Sequence, residues 1–265
     1  MTTYALDNAW RDASRRLALL DECLGRLTQR RVAQLGRLRG LHCLEVGAGL
    51  GVTACWLSEQ VGAQGRVIAT DIDTRFLEPM RAGHHIDNLE VWTHDICRDP
   101  LPECAFDLIH ARWLFYHLPE PEAVIARLLR ALRPGGTILV EDVDFFPVHQ
   151  AASKPYAQFM LALARAVGAR VGHGGEWAAA AIPRLFGAPL WTELSVDAEL
   201  DILRGASRMA EFWTLTARQM HDHLLSDPDC DQETLEVALK CLADPEFWSY
   251  STAQIAVSAR RAERG

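Results

Sequence analysis

Apolar residues recur at helical spacing near the start of the chain. Between residues 9 and 36, Leu17, Leu20, Leu24 and Leu27 lie three or four positions apart, and arginines stand between them. This period matches one face of an α-helix and predicts one or two amphipathic helices in this segment.

Short apolar runs alternate with helical segments in the following part of the chain. The runs predict strands at residues 42–46, 66–71, 89–93, 106–110 and 137–143. The segments between them predict helices at residues 52–61, 74–83 and 120–132. Strands separated by helices in this rhythm predict an α/β protein with a parallel, doubly wound sheet.

The pattern changes after Asp144. Residues 150–187 are rich in alanine and predict a helical insertion over the carboxyl edge of the sheet. Further strands are predicted at residues 192–203 and 251–260, and further helices at residues 210–225 and 232–243. We expect one domain throughout, because no low-complexity linker separates two parts of the chain.

The composition is that of an ordinary globular protein, with 49% hydrophobic and 23% charged residues among 265. No apolar stretch approaches the roughly 20 residues that span a bilayer. Residues 1–16 lack the apolar core of a signal peptide, so we expect a cytoplasmic protein without membrane contact. The seven cysteines form no C-x-x-C pair, which argues against disulfide bonds and against a zinc site.

The net charge of −8 disfavours general binding to nucleic acid, which depends on phosphate contacts. Positive charge is nevertheless concentrated near the N-terminus, since residues 1–40 contain eight arginines and four acidic residues. Two interpretations of these arginines remain open. They form either the solvated face of a helix, or a site for RNA or for an anionic group of a substrate.

A glycine-rich turn follows the first predicted strand. Gly47, Gly49 and Gly51 have the spacing G-x-G-x-G, and Val52 replaces the small residue that the dinucleotide-binding pattern requires. Glycines at the start of a helix allow the backbone to approach a ligand closely. Glu45, just before the turn, is a poor neighbour for a pyrophosphate and suits a ligand with an ammonium and a sulfonium group.

Acidic residues end the next two strands. A carboxylate at Asp71 is placed to accept hydrogen bonds from both ribose hydroxyls of an adenosine. Asp95 is placed to accept the adenine amino group, and Ile72 and Ile96 are placed to sandwich the ring. Each feature alone has a structural alternative, a tight turn or a helix cap. Their occurrence at successive strand ends predicts an adenosyl ligand.

These motifs resemble those of the class I methyltransferases that depend on S-adenosylmethionine (SAM). The resemblance rests on the glycine turn with Glu45, on Asp71, on Asp95 with Ile96, and on residues 106–112 and 133–136. More narrowly, the chain is similar to a group of methyltransferases common in bacterial secondary metabolism. The narrower likeness involves Tyr4, Ala5, Leu6, Asp7, Asn8, Arg112, His117, Leu118, Pro119 and residues 212–216.

The resemblance implies a seven-stranded, mostly parallel sheet whose last strand is antiparallel. It divides a single methyltransferase domain into a helical lid (1–38), a cofactor-binding core (39–148), a helical cap inserted after strand 5 (149–190) and a C-terminal part (191–265). SAM is the implied cofactor, with S-adenosylhomocysteine (SAH) as its product. The implied cofactor-binding residues are Tyr4, Glu45, Gly47, Ala48, Gly49, Asp71, Ile72, Asp95, Ile96, Ala111 and Arg112.

Methyl transfer from a sulfonium is an in-line displacement of an activated group, so it depends mainly on proximity and orientation. A general base is needed only where the acceptor must lose a proton. His149 is the first candidate for this base, followed by His117 and His173. We expect no metal ion: Asp142 and Asp144 could hold Mg²⁺, but strand-end acids that face the loops are the simpler interpretation.

Aromatic residues are concentrated in the loops and the insertion expected above the methyl group. Those assigned to the substrate pocket are Trp113, Tyr116, Phe145, Phe146, Tyr156 and Trp177. Their faces favour a flat or apolar acceptor and attract a sulfonium. The motifs of adenine-amine and cytosine-C5 methyltransferases are absent. We therefore expect methyl transfer to a small molecule by a monomer or homodimer that does not bind nucleic acid. The resemblance implies that this small molecule is a natural-product intermediate.

Two other functions stay open at this point. One is an RNA or protein methyltransferase that uses the arginine-rich N-terminus. The other is a SAM-binding protein that catalyses a cyclisation or regulates another process without methyl transfer.

Overall fold

The structure is a computed structural model. It describes residues 6–84, 86–169, 171–172, 176–187 and 189–263. Tyr4 and His173, named above as candidate site residues, lie outside the described residues. Contacts divide the chain into two compact units. The first contains residues 1–23, 142–180 and 198–255, and the second contains residues 24–141, 181–197 and 256–265.

The described elements alternate as the sequence predicts. The helices are α1 (Ala13–Gln34), α2 (Val52–Val61), α3 (Leu77–His84), α4 (Pro121–Ala131), α5 (Lys154–Gly168), α6 (Ala178–Ala181), α7 (Arg208–Gln219), α8 (His221–Leu225) and α9 (Gln232–Ala243). The strands are β1 (His42–Val46), β2 (Arg66–Asp71), β3 (Leu89–Thr93), β4 (Phe106–Arg112), β5 (Leu132–Asp144), β6 (Trp191–Arg204) and β7 (Trp248–Arg261). Short 3₁₀ helices cover Phe115–His117, Phe146–Gln150 and Ile182–Leu185.

One seven-stranded sheet has the order β3-β2-β1-β4-β5-β7-β6. Within this order, every adjacent pair of strands from β3 through β2, β1 and β4 to β5 is parallel. The strand β7 is antiparallel between β5 and β6. The predicted α/β fold, a mostly parallel sheet with an antiparallel last strand, is confirmed.

Apolar runs bury the central strands on both faces, as parallel sheets require. In the second unit, side chains from α2, β1, β2 and their neighbours form one core. Its members with almost no exposed surface are Val32, Cys43, Ala54, Leu57, Val61, Val67, Ala69, Leu89, Leu108, Leu139 and Ala256. This core fixes the carboxyl ends of β1, β2 and β4 relative to one another, and the candidate site lies at those ends.

The first unit is mainly helical. Its helices α5 and α9 pack together, and α7 also contacts α9. Three of these helices begin at side chains that accept a hydrogen bond from a backbone N–H: Ser153 for α5, Ser207 for α7 and Asp231 for α9. Such N-caps satisfy donors that the first turn leaves unpaired.

Several predicted boundaries differ from the structure, and two of these differences have a clear cause. The strand β5 begins at Leu132 rather than at residue 137, because Phe106 pairs with Leu132 and residues 133–136 form an irregularity before regular pairing resumes. Residues 210–225 form two helices, since Met220, with φ −100° and ψ 10°, interrupts the helical backbone between α7 and α8.

No helix in the described ranges is long and apolar enough to cross a membrane.

Candidate cofactor and acceptor site

The glycine turn between β1 and α2 uses three left-handed backbone conformations. Gly47, Gly49 and Gly51 have φ values of 70°, 57° and 81°, which side-chain-bearing residues rarely adopt. A β-carbon at Gly47 would lie 3.1 Å from Leu114 Cδ1, and one at Gly51 would lie 2.2 Å from Met80 Cε. The corresponding space at Gly49 is open. The turn therefore packs tightly at both ends and leaves its middle accessible.

The carboxylate of Asp71 binds this turn to the end of β2. Its Oδ2 accepts a hydrogen bond from Gly49 N–H at 2.9 Å, and its Oδ1 accepts one from Asp73 N–H at 3.0 Å. Ala48 N–H adds a bond of 2.9 Å to Thr70 O. Burial raises the pKa of Asp71, while the backbone bonds from Asp73 and Gly49 partly oppose that shift.

Asp95, which is predicted to bind adenine at the end of β3, makes contacts with its sequence neighbours. Asp95 Oδ1 accepts a hydrogen bond from Cys97 N–H at 2.9 Å, and Oδ2 lies 3.5 Å from Arg98 Nε. Of the two isoleucines expected to sandwich a ring, Ile72 is 42% exposed and Ile96 is 5% exposed. Ile72 therefore offers open apolar surface, and Ile96 forms part of the local core.

A buried charged cluster crosses the ends of β1, β4 and β5. Glu45 and His110 are direct register partners, and His110 Nδ1 lies 2.6 Å from Glu45 Oε2. On the other side of the ring, His110 Nε2 lies 2.9 Å from Glu141 Oε2. All three side chains are at most 4% exposed. One imidazole thus joins two carboxylates from neighbouring strands.

Two residues of α1 extend this cluster. Thr28 Oγ1 donates to Glu141 Oε2 at 2.7 Å, and Arg31 Nη1 donates to Glu141 Oε1 at 2.8 Å. Arg31 also pairs with Asp197 at 2.9 Å. Arg112 Nη1 donates to Thr28 Oγ1 at 3.1 Å. The helix is therefore held to the strand ends by charge-assisted hydrogen bonds, which are stronger than neutral ones.

The two carboxylates keep His110 protonated. Burial alone would lower the pKa of His110, but the charge of Glu45 and the hydrogen bonds that His110 donates to both carboxylates raise it to about 9. Burial would raise the pKa of Glu141, but its bonds to His110, Thr28 and Arg31 lower it to about 2. The cluster therefore contains an imidazolium between two carboxylates at neutral pH.

The end of β4 leads into a strained turn. Ala111 is fully buried within the sheet. Trp113 has φ 53°, an unusual value for a bulky side chain, and its N–H donates to Glu141 O at 2.8 Å. Tyr116 is 3% exposed and its ring lies 5.9 Å from that of His117. Strained backbone of this kind is concentrated at ligand and active sites.

The histidine predicted as the first candidate base lies in the first unit. His149 occupies the 3₁₀ helix Phe146–Gln150, and its Nε2 pairs with Glu176 Oε1. About half of each side chain is exposed. Phe146 is 65% exposed, and its ring lies 6.4 Å from that of His149. This histidine is therefore accessible and has a carboxylate partner.

The other aromatic residues assigned to a pocket in this unit differ in burial. Phe145 is 3% exposed and packs on Trp213 with ring centroids 6.0 Å apart. Tyr156 is fully buried, and its hydroxyl donates to Ser251 Oγ at 3.1 Å. Trp177 is half-buried.

Asp142 and Asp144, the acids considered above as ligands of Mg²⁺, accept hydrogen bonds from backbone N–H groups. Asp144 Oδ1 accepts a bond from Phe146 N–H and Oδ2 one from Ala179 N–H, each at 2.9 Å. Asp142 Oδ1 accepts from Val143 N–H at 2.9 Å. Within the described ranges, no group of three or more His, Cys, Asp or Glu side chains could hold a metal ion.

The structure gathers most of the predicted cofactor residues and adds some that the sequence analysis missed. The gathered residues, all at strand ends of the second unit, are Glu45, Gly47, Ala48, Gly49, Asp71, Ile72, Asp95, Ile96, Ala111 and Arg112. The missed residues of the buried cluster are Thr28, Arg31, His110 and Glu141. His110 lies inside an apolar strand, and no local motif signals its partners, which are 31 and 65 residues away.

Known proteins are similar in sequence to part of this chain. Residues 44–140 match the sequence model of a family described as a methyltransferase domain. Methyltransferase str3 of Strobilurus tenacellus is 30% identical over 111 residues, 42% of this chain and 38% of that protein. The ubiquinone/menaquinone biosynthesis C-methyltransferase UbiE of Pseudoalteromonas translucida is 28% identical over 149 residues, 55% of this chain and 59% of that protein. The chain thus spans about half the length of the curated relatives it matches.

A solved structure shares the fold over nearly its whole length. BH2331 of Bacillus halodurans, assigned as a methyltransferase, superposes with a TM-score of 0.57 at 20% identity. The match covers 88% of this chain and 98% of that chain. Over residues 44–140 the chain is thus similar to a methyltransferase domain, and its fold is the Rossmann-like fold of class I methyltransferases.

Proposed function

We propose that the protein transfers the methyl group of SAM to a small-molecule acceptor, a natural-product intermediate, in the cytoplasm. The main support is the bond between Gly49 N–H and the Asp71 carboxylate, which joins the glycine turn to an acid at the ends of neighbouring strands. Ligands of open parallel sheets bind at that edge. The relative UbiE, named as a C-methyltransferase of ubiquinone/menaquinone biosynthesis, supports a small organic acceptor.

The glycine turn fits the methionine part of SAM. The space beside Gly49 is open, whereas side chains fill the equivalent space at Gly47 and Gly51. A ligand can therefore approach the backbone of Ala48 and Gly49 without displacing a side chain. We assign the methionine part to this opening, next to the backbone of Ala111 and Arg112.

Asp71 and the neighbouring strand end fit the adenosine part. Each oxygen of the Asp71 carboxylate accepts one backbone N–H and retains a lone pair that can accept a ribose hydroxyl. The exposed side chain of Ile72 offers apolar surface to the adenine ring. We assign Asp95 and Ile96 to the edge and the other face of that ring.

Bound SAM supplies a methyl group that positive sulfur has already activated. The task of the chain is to hold the acceptor in line, which is worth about 7–11 kcal/mol for well-oriented reactants. Glu45 is a fixed negative charge in this scheme rather than a free base, because its carboxylate is buried and bonded to His110.

His149 is the proposed base for acceptors that must lose a proton. Because Glu176 pairs with Nε2, the carboxylate orients the ring, and Nδ1 is left to accept the proton. His117, which follows the strained turn at Trp113, is the second candidate.

The test is the transfer of a labelled methyl group. The protein is incubated with SAM carrying a trideuterated methyl group and with a bacterial small-molecule extract, and products are detected by mass spectrometry. We expect SAH and a labelled product from the wild type, and strongly reduced labelling with Asp71→Asn. The matched control is Asp222→Asn, which makes the same chemical change at a side chain that is 97% exposed. Wild-type labelling by Asp71→Asn, or no labelled product from the wild type, would contradict the proposal.

A further inference from the structure

The loop between β3 and β4 forms a cavity with the second half of α4. Its volume is about 300 Å³, at the lower end of the range for small-molecule sites. The residues that line it are Arg98, Pro100, Leu101, Glu103, Arg127 and Arg130. All of them belong to the second unit, and none is assigned to the cofactor or to the acceptor. The cavity therefore lies within one compact unit and has no part in the proposed methyl transfer.

The lining of this cavity is positively charged, although the whole chain has a net charge of −8. Three arginines line it together with one glutamate, so three positive charges less one negative charge leave a formal charge of +2. A phosphate monoester carries a charge of about −1.5 to −2 at pH 7 and matches this lining. A carboxylate or a sulfate ester carries a single negative charge and would leave part of it unmatched.

Two of the arginines have guanidinium groups that a ligand can recruit. Arg130 is exposed and forms no salt bridge with an acidic residue that the structure describes. The side chain of Arg98 is 78% exposed, and its Nε lies 3.5 Å from Asp95 Oδ2. An exposed ion pair of this kind contributes little to stability. Both groups can therefore turn towards a ligand without the loss of a strong contact.

The third arginine fixes the walls of the cavity. Arg127 Nη1 donates to Asp99 O at 2.7 Å, and its Nη2 donates to Cys97 O at 3.1 Å. Further along the loop, Cys104 N–H donates to Arg130 O at 2.9 Å. These bonds hold the loop on α4 at two points, so a ligand does not have to order the site when it binds. The acceptors of Arg127 are carbonyl oxygens, which do not neutralise its positive charge.

We propose that this cavity binds the phosphate group of a small phosphate monoester. Guanidinium groups bind phosphate oxygens through paired, charge-assisted hydrogen bonds. Pro100 and Leu101 provide apolar lining for the organic part of the ligand. The inference goes beyond the proposed methyl transfer and does not depend on it. A free phosphate ion has the same charge without an organic part, so the experiment includes both.

The experiment titrates three probes calorimetrically into the protein at about pH 7.5, where a phosphate monoester is a dianion. The probes are phenyl phosphate, phenyl sulfate, which has the same shape and one negative charge, and inorganic phosphate. The test variant is Arg130→Gln. The matched control is Arg37→Gln, which makes the same change at an exposed arginine outside the cavity lining. The Tm of each protein is measured without ligand.

We expect the wild type and Arg37→Gln to bind phenyl phosphate more than about tenfold tighter than phenyl sulfate, because the second charge strengthens the hydrogen bonds. Both should bind inorganic phosphate more weakly than phenyl phosphate, because the ring buries apolar surface against the lining. Arg130→Gln should bind phenyl phosphate more than about tenfold weaker than the wild type. Its Tm should be unchanged, since surface substitutions have small effects.

Three results would overturn the inference. One is the absence of phenyl phosphate binding by the wild type. Another is equal affinity of Arg130→Gln and the wild type, or an equal loss in Arg37→Gln, which would reflect the overall charge of the chain. The third is inorganic phosphate binding as tightly as phenyl phosphate, which would assign the cavity to the free ion. If Arg130→Gln has a lower Tm, Arg98→Gln, at a side chain that is 78% exposed, decides by the same criteria.

Discussion

Two buried charged regions of this protein are built in opposite ways. At the strand ends of the second unit, His110 bonds to Glu45 and Glu141, and Glu141 also bonds to Thr28 and Arg31. In the first unit, two nitrogens of Arg16 have no partner within the described residues. Both regions are less than 5% exposed, so burial alone does not distinguish them.

The difference between these regions indicates different roles. A buried charge whose partners belong to the same chain becomes paired when the chain folds. The resulting ion pairs and hydrogen bonds hold together the helices and strands that carry the partners. A buried charge that lacks such partners lowers the stability of the folded chain. We therefore expect His110 to contribute to stability, and Arg16 to reduce the stability of the ligand-free protein.

The largest expected effect is that of His110→Leu. This change leaves Glu45 and Glu141 buried without their shared imidazolium, and it should lower the free energy of unfolding by about 3–5 kcal/mol. Urea denaturation measures the loss. His221→Ala, which removes a histidine whose side chain is 48% exposed, should change the value by less than about 0.5 kcal/mol. Equal stability of His110→Leu and the wild type would show that the cluster does not hold the strand ends.

The pH dependence of stability should report the same cluster. The pKa of His110 is raised from 6.5 to about 9, so its contribution is complete below pH 6.5 and is lost as the pH rises through 9. The pKa of Glu141 is lowered from 4.5 to about 2, so its contribution is complete above pH 4.5 and is lost as the pH falls through 2. The cluster should therefore stabilise most between pH 4.5 and 6.5, with a loss of about 3 kcal/mol on the alkaline side.

Denaturation curves at a series of pH values measure this profile. His110→Leu should lack the decline between pH 6.5 and 9, which separates this cluster from other titrating groups. An unchanged alkaline decline in that variant would place its origin elsewhere.

The smallest expected effect is that of Thr28→Val. This change removes one hydroxyl donor from Glu141, which retains Arg31 and His110, so the loss should be about 1 kcal/mol. Thr192→Val, at an exposed threonine, is the control and should change stability by less than about 0.5 kcal/mol. A loss as large as that of His110→Leu would mean that Thr28, rather than the histidine, organises the cluster.

Features that depend on adjacent residues could be predicted from the sequence. The predicted strands at residues 42–46, 66–71 and 89–93 coincide with β1, β2 and β3. Apolar runs are local, and so is the glycine spacing that marks the turn after β1. The sequence could therefore predict which edge of the sheet carries the candidate site, and which acidic residues and glycines lie there.

The buried charges could not be predicted, because their partners are distant in sequence. Thr28 and Glu141 are 113 residues apart, and Arg31 and Glu141 are 110 residues apart. Most of the N-terminal arginines are exposed, as the solvated-face interpretation requires, but Arg16 and Arg31 are buried. One signal was present: Arg16, Thr28 and Arg31 are spaced at three or four positions from apolar residues of α1. The buried residues of this helix are Ala13, Arg16, Leu19, Leu20, Leu24, Thr28, Arg31 and Val32.

The most direct test of the central claim, an adenosyl site held by Asp71 and the glycine turn, is calorimetric titration with SAH, SAM and NAD⁺. We predict that SAH and SAM bind the wild type in the micromolar range and that NAD⁺ does not bind. The Asp71→Asn variant should bind SAH more than about tenfold weaker, because a hydrogen bond to a charged group is lost. Binding of NAD⁺ without binding of SAH, or equal affinity of Asp71→Asn and the wild type for SAH, would contradict this assignment.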